Sequence, residues 1–321
     1  MRLLAVCFLI SVIVARVLWP MNLMADDTGL NFEALSRDRI SASELPDLEH
    51  YKARDGRSLG YRYYPSASRT VLVLVHGSGT ESRYLAPFAR SIASSGRAAV
   101  YTPDLRGHGP APYRRGDVDY IEQPGDDLLD LIAHIRARDE RIERVVLGGH
   151  SSGAGLVVRL AERQDTTPVD GYLLLAPYLG HDAPTTRKNS GGWARPNLFK
   201  ILPLVFLNRF GITAFNSARV LEFTMPAAYR DGSETLSYSF RMMAGLNPTD
   251  FKAGLKAMTV PLLLLVGSND EALFADRFDG VIRPLSPNMT LGIVEGASHL
   301  GIVSDVDAAR ATRQWLLRLA P

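Results

Sequence analysis

The sequence predicts an α/β fold, in which a mainly parallel sheet is flanked by helices and carries an inserted helical cap. From Leu59 onward, short apolar runs with high strand propensity alternate with amphipathic stretches, which is typical of a parallel sheet covered by helices. The alternation stops between about residues 181 and 255, where an apolar run extends from Leu198 to Phe210. We therefore expect a core of residues 50–180 and 256–321, with the cap at residues 181–255.

Six apolar runs are the predicted strands of this sheet, and they have the composition expected of strands buried on both faces. They are Val71 to Val75, Ala98 to Thr102, Arg144 to Leu147, Tyr172 to Leu175, Leu262 to Val266 and Thr290 to Val294. The sequence indicates two helices most clearly, one between these strands and one after the last of them. One carries an apolar stripe over residues 128–135, preceded by Asp126 and Asp127, whose charges favour a helix N-terminus. The other spans about residues 305–319.

Composition narrows the class of protein. The 321-residue chain has a formal net charge of +2, with 46% hydrophobic and 22% charged residues, as in soluble globular proteins. No run rich in Lys and Arg is present, so nucleic acid is not an expected partner. Cys7 is the only cysteine, which excludes an intramolecular disulfide. No spacing resembles a metal site, so we predict neither a metal nor an organic cofactor. Composition does not specify an oligomeric state.

The first 25 residues have the pattern of an export signal: a basic start, an apolar run from Leu3 to Ala15, and a small residue for cleavage at Ala25. Without cleavage, residues 3–19 reach the lower limit of length for crossing a bilayer and favour a membrane anchor. A buried helix of the fold is the third alternative. Export or anchoring places the body outside the cytoplasm. Residues 26–49, which are polar and lack a clear period, are interpreted as a tether.

A G-x-S-x-G pentad at residues 149–153 centres on Ser151. It follows the predicted strand Arg144 to Leu147 directly and leads into Ala154 to Ala161, a run suited to a helix. A nucleophile elbow requires this strand-turn-helix context, because the glycines permit a tight turn that exposes the serine. Ser151 is therefore the candidate nucleophile. Ser152 is the rival, and a plain helix cap is the structural alternative for Ser151.

The sequence His-Gly-Ser-Gly at residues 76–79 follows the buried strand Val71 to Val75, the position from which an elbow-containing fold supplies a second backbone donor. We expect the N–H groups of Ser78 and Ser152 to form an oxyanion hole, in which one donor typically contributes about 3 kcal/mol. The alternative is a plain turn that ends the strand. His76 itself is interpreted as a structural hydrogen-bonding residue.

A serine nucleophile needs a neighbouring base, and the base needs a carboxylate that fixes its tautomer. Of the seven histidines, only His299 lies in a loop just after the last predicted strand. Asp270 follows the fifth predicted strand, at the carboxyl edge of the sheet. The chain order Ser151, Asp270, His299 is the order that accompanies a nucleophile elbow. Glu271 and Asp182 are the rival acids.

From about Leu59 to the C-terminus, the sequence resembles the α/β-hydrolase superfamily, and within it the monoacylglycerol lipase and lysophospholipase-like (serine aminopeptidase-like) branch. The matching features are the inserted cap, residues 76–79, 104–109 and 149–153, Asp270 and His299. Superfamily members that look alike cleave lipid esters, small esters, thioesters or N-terminal peptide bonds. Ala154-Gly155 lacks the extra glycine that proline-iminopeptidase-like members often show after the elbow, which disfavours a peptidase.

The sequence thus predicts hydrolysis of a carboxylic ester through an acyl-enzyme, with Ser151 as nucleophile, His299 as general base and Asp270 as the orienting acid. An apolar cap suits an acyl chain, because each buried methylene contributes about 0.8 kcal/mol. The resemblance to the monoacylglycerol lipase and lysophospholipase-like branch implies a monoacylglycerol or a lysophospholipid as the kind of substrate. Peptidase or thioesterase activity on the same triad is one alternative. A non-catalytic ligand-binding protein of the same fold is the other.

Overall fold

A computed structural model describes residues 29–33, 44–163 and 169–319 of the chain. The predicted signal or anchor in residues 1–25 lies outside this part. The strands within it are β1 (Leu48–Lys52), β2 (Ser58–Tyr64), β3 (Thr70–Val75), β4 (Ala99–Pro103), β5 (Arg144–His150), β6 (Gly171–Leu175), β7 (Ala194–Pro196), β8 (Arg219–Phe223), β9 (Ser237–Ser239), β10 (Leu262–Gly267) and β11 (Met289–Val294).

The central sheet has the strand order β1-β2-β4-β3-β5-β6-β10-β11. Strands β4, β3, β5, β6, β10 and β11 pair in parallel, whereas β1 and β2 extend the sheet in antiparallel pairs. Every residue of β10 is buried, as are all residues of β3 after Thr70, so the centre of the sheet is covered on both faces. The six predicted strands and the α/β fold class are confirmed.

Helices cover this sheet on both sides. The described helices are α1 (Ala86–Ser94), α2 (Gln123–Arg138), α3 (Ser152–Glu162), α4 (Leu198–Asn208), α5 (Phe240–Leu246), α6 (Phe251–Ala257), α7 (Phe278–Ile282) and α8 (Val306–Leu319). The apolar stripe of α2 is buried, and both this helix and α8 confirm the prediction. Within the described ranges, no helix combines the length and apolar character needed to cross a bilayer.

The prediction of a polar tether over residues 26–49 is wrong where the structure describes that segment. Strand β1 begins at Leu48 and pairs with β2, with Leu48 opposite Arg62. Further upstream, the side chains of Leu30 and Phe32 are buried against the body of the protein. The sequence does not reveal these contacts, because β1 is a short strand with a single buried residue. Leu30 and Phe32 are two isolated apolar residues, which give no period.

The insertion between β6 and β10 is not purely helical, which corrects the predicted cap. Besides α4 and α5 it contains a three-stranded antiparallel sheet in the order β7-β8-β9. These strands have only three to five residues, too few to show an alternation of period 2 in the sequence. Leu204, Val220 and Phe240 form a small separate core inside the insertion. Part of its apolar content therefore serves packing.

Candidate active site

The G-x-S-x-G pentad forms the sharp turn between β5 and α3. Ser151 has φ 54° and ψ −121°, a left-handed conformation that side chains rarely adopt. The flanking glycines are required by close approach: a Cβ on Gly149 would lie 2.4 Å from the carbonyl carbon of Gly153, and one on Gly153 would lie 2.3 Å from the carbonyl oxygen of His76. The turn therefore presents the Ser151 side chain at the carboxyl edge of the sheet, as an elbow does.

The structure brings the three predicted catalytic side chains together from distant parts of the chain. The hydroxyl of Ser151 donates to Nε2 of His299 over 2.9 Å, and Nδ1–H of His299 donates to Oδ2 of Asp270 over 2.8 Å. The second oxygen of Asp270 accepts from the backbone N–H groups of Ala272 (2.9 Å) and Leu273 (2.8 Å). The carboxylate is thus fixed by the turn after β10, so that one oxygen is aimed at the imidazole.

Burial by itself lowers the pKa of His299, because a charged imidazolium loses its hydration. The charge and the hydrogen bond of the adjacent Asp270 carboxylate, with a smaller contribution from the charge of Glu271, outweigh this effect, and the net result is a raised pKa. Burial also lowers the pKa of the neighbouring His150 well below its usual value, with the proximity of His299 as the second cause. His299 is therefore the better proton acceptor of the two, and it is the one that contacts Ser151.

The rival acids have other positions. One oxygen of Glu271 accepts from the backbone N–H of His299 (2.9 Å), which positions the loop and not the ring. Asp182 is exposed, and Nδ1 of His299 bonds to Asp270 instead.

His76 is fully buried. Its Nδ1–H donates to the carbonyl of Gly77, and its Nε2 accepts from a backbone N–H in the loop that follows β4. It therefore has the structural role expected for it.

The predicted oxyanion donors lie on both sides of Ser151. Among the described residues, the backbone N–H groups of Ser78 and Ser152 form no hydrogen bond within the protein. The two glycines that flank Ser78 differ in this respect: the N–H of Gly77 donates to the hydroxyl of Tyr84 (2.7 Å), and the N–H of Gly79 donates to the hydroxyl of Tyr238 (3.3 Å). The loop is held by its flanks, and its central amide is left to bind a ligand.

Two tyrosine-histidine relays hold this loop, and sequence reasoning did not find them. Tyr84 donates to Nδ1 of His150 (2.7 Å), whose Nε2–H donates to the carbonyl of His299 (2.9 Å). Tyr238, from β9 of the insertion, donates to Nε2 of His108 (2.5 Å). The first relay joins the oxyanion loop, the elbow and the loop of the general base. Neither tyrosine lies in a motif, so the sequence carried no signal for them.

A small cavity of about 10 Å³ lies in front of Ser151. Such a space accommodates about one water molecule. Its lining residues are Leu30, Phe32, Gly77, Ser78, Thr80, Tyr84, His150, Ser151, Trp193, His299 and Leu300. None of them is acidic. In the part of the chain that the structure describes, no group of His, Cys, Asp and Glu residues has the geometry of a metal site.

A mainly parallel sheet, an elbow at the end of β5 and a Ser-His-Asp chain at its carboxyl edge define an α/β-hydrolase. A family model described as "Serine aminopeptidase, S33" matches residues 66–303, which is most of the chain, and the protein belongs to this family. The predicted superfamily and its serine aminopeptidase-like branch are thereby confirmed.

Individual relatives are distant. The chain is 24% identical over 261 residues to a non-heme chloroperoxidase of Kitasatospora aureofaciens, a match that covers 77% of this chain and 90% of that protein. It is 24% identical over 125 residues to protein phosphatase methylesterase 1 of Schizosaccharomyces pombe, but this match covers only 38% of this chain and 37% of the methylesterase.

Among solved structures, the chain is similar to a soluble variant of monoglyceride lipase from Saccharomyces cerevisiae in complex with a substrate analogue. The TM-score is 0.67 with 18% sequence identity, over 88% of this chain and 99% of the lipase. At this identity the likeness concerns the fold. The family model, the methylesterase and the lipase are of the esterase, lipase and peptidase type of hydrolase.

Proposed function

We propose that this protein is a serine hydrolase that cleaves carboxylic esters of acyl lipids through an acyl-enzyme. The observation that carries the proposal is the unbroken hydrogen-bonded chain from Asp270 through His299 to Ser151, beside two backbone amides that have no partner among the described residues. A protein that only binds a ligand has no need of a complete proton relay ending on a strained serine.

In the proposed reaction, Oγ of Ser151 attacks the ester carbonyl while Nε2 of His299 takes its proton. The developing oxyanion accepts from the N–H groups of Ser78 and Ser152. The C–O bond of the ester breaks, and the alcohol leaves with the proton from the imidazolium, which Asp270 stabilises. Water then attacks the acyl-enzyme, with His299 again as the base, and releases the carboxylic acid.

An ester fits the lining of the site better than an N-terminal peptide. A free α-amino group is a cation, and its specific recognition calls for a carboxylate or several acceptors. The described residues that line the cavity include no Asp or Glu, whereas Trp193 and Leu300 give it apolar walls. The family name includes an aminopeptidase, so peptidase activity is the second candidate, with thioesterase activity on the same relay as a third.

Acyl-chain length is the first test of the proposed substrate. For 4-nitrophenyl esters, we expect kcat/KM to rise at least about tenfold from acetyl to octanoyl, because each buried methylene adds binding free energy. Monoacylglycerols and lysophospholipids belong in the same panel, and matched acyl thioesters and aminoacyl anilides represent the other candidates. A preference for acetyl over all longer acyl groups, or cleavage of anilides alone, would remove the lipid-ester proposal.

The outer face of α4 supports a lipid-derived substrate. Leu202 and Phe206 are 64% and 47% exposed and share one face of α4 with Leu198, and Phe210, just after the end of the helix, is 68% exposed. Residues 183–221 contain six Lys and Arg residues and no Asp or Glu. An apolar face within a cationic segment complements an anionic bilayer. We therefore propose that α4 rests on a lipid surface, in addition to attachment or export through residues 3–19.

A double substitution tests this contact. Leu202→Gln with Phe206→Gln is expected to lower the hydrolysis of a long-chain ester in anionic phosphatidylglycerol vesicles about tenfold, since two apolar side chains no longer enter the bilayer. Hydrolysis of a short water-soluble ester should not change. Leu317→Gln, on the exposed side of α8, is the matched control. Equal vesicle rates for the double variant and the control would contradict the membrane contact.

A further inference from the structure

Residues 29–33, here named the strap, lie across the front of the candidate active site. Leu30 and Phe32 are 6% and 3% exposed, although they are separated by more than a hundred residues from Ser151. Both side chains line the same small cavity as Ser151 and His299. The described segment is therefore part of the site and not a peripheral tail.

Aromatic packing of Phe32 holds the strap in place. The ring centroid of Phe32 is 5.5 Å from that of Trp193 and 5.4 Å from that of Tyr229, both in the insertion. Trp193 in turn stacks on Phe223 and donates from its indole N–H to the hydroxyl of Ser78 (3.0 Å). Phe32 thus completes an aromatic wall that reaches the oxyanion loop.

A polar contact links the strap to the loop of the general base. The N–H of Asn31 donates to Oε1 of Glu271 (3.2 Å), while the other oxygen of the same carboxylate accepts from the N–H of His299 (2.9 Å). The neighbouring Gly29 lies so close to the carbonyl oxygen of Gly191 that a Cβ there would be 1.5 Å away. Backbone contacts on both sides therefore seat the strap in one position.

This position leaves no room for a substrate. With the strap in place, the space in front of Ser151 is about 10 Å³, enough for about one water molecule and too small for any acyl ester. The groups that fill the site are a leucine and a phenylalanine side chain, whose apolar character matches that of an acyl chain. Withdrawal of the strap would open a cleft bounded by Trp193, Tyr229 and Leu300.

We propose that the strap occupies the acyl-binding cleft as an internal substitute for the acyl chain, and that a long-chain substrate displaces it. The inference rests on the proposed function and adds the position of the acyl chain and a closed resting state. Because substrate binds only the fraction of molecules whose strap has withdrawn, the apparent affinity is reduced by that fraction. Weakening the strap therefore raises activity.

The first test is Phe32→Ala in the full chain. We expect kcat/KM for 4-nitrophenyl octanoate to rise about tenfold, mainly through a lower KM, because the strap loses its largest buried side chain. Tyr113→Ala is the matched control, since this aromatic residue is 74% exposed and does not line the cavity. An unchanged or lower kcat/KM for Phe32→Ala, as expected if Phe32 were a fixed wall of the pocket, would overturn the proposal.

A second measurement uses the wild-type chain and so does not depend on the folding of a variant. Hydrogen exchange of the strap amides is followed before and after Ser151 reacts with diisopropyl fluorophosphate or with a hexadecyl fluorophosphonate. The long-chain adduct is expected to remove the protection of the Asn31 N–H, and the small adduct to remove less. A long-chain adduct with full strap protection overturns this proposal alone. Absence of any reaction at Ser151 overturns the proposed function and this inference with it.

Discussion

Replacement of Ser151 by alanine is expected to lower kcat for ester hydrolysis by about 10⁵- to 10⁶-fold. Without Oγ no acyl-enzyme forms, and His299 has no hydroxyl to deprotonate. The residual rate comes from the oxyanion donors and from substrate binding, which the substitution leaves in place. The measurement is turnover of 4-nitrophenyl octanoate by the purified full chain.

Ser152→Ala is the matched variant that shows which of the two serines is the nucleophile. The hydroxyl of Ser152 is buried without a hydrogen-bond partner among the described residues, and the residue's proposed contribution is its backbone N–H, which alanine retains. We expect its activity to stay within about tenfold of wild type. Loss of activity in Ser152→Ala with retention in Ser151→Ala would move the nucleophile by one residue and contradict the assignment.

Asp270→Asn is expected to lower kcat by about 10⁴-fold while preserving the fold. The Asn oxygen still accepts from the N–H groups of Ala272 and Leu273, so the amide nitrogen faces Nδ1 of His299. An N–H donor at this position stabilises the tautomer of His299 that is protonated at Nε2. In that tautomer Nε2 cannot accept the proton of Ser151. Kinetics of the variant, with melting temperature as a measure of folding, test this expectation.

The pH profile of kcat/KM distinguishes an electrostatic role of Asp270 from a merely structural one. His299 acts as a base only when neutral, and the Asp270 carboxylate raises its pKa against the lowering effect of burial. Wild-type kcat/KM should therefore fall as pH decreases through the raised pKa of His299. In Asp270→Asn the charge and the hydrogen bond that raise this pKa most are lost, and burial is opposed only by the smaller effect of Glu271, so the acidic limb should move to lower pH. A limb that stays in place or moves to higher pH would contradict the electrostatic role of Asp270.

The parallel part of the fold was predictable because its strands are buried on both faces. Such strands are almost continuously apolar, as in Thr70–Val75 and Leu262–Gly267, and the signal does not depend on their neighbours. The positions of Ser151, Asp270 and His299 were predictable for a related reason. Parallel strands place all their carboxyl ends at one edge, so residues just after three different strands lie close together.

The remaining features depend on tertiary contacts that leave no local pattern. The strands of the insertion are too short to show a period, and β1 has only one fully buried residue. Tyr84 and Tyr238 acquire their roles only because the fold places them beside the amides of the oxyanion loop. The burial of Phe32 likewise depends on Trp193 and Tyr229, which lie far along the chain.

The central claim is that the serine of the elbow is the reacting nucleophile. It is tested most directly by treating the full chain with a fluorophosphonate and locating the adduct by peptide mass spectrometry. The account predicts one stoichiometric phosphonyl group on Ser151, lost when His299 is replaced by alanine because the hydroxyl is no longer activated. A wild-type chain that stays unmodified, or that carries the group on another residue, would contradict it.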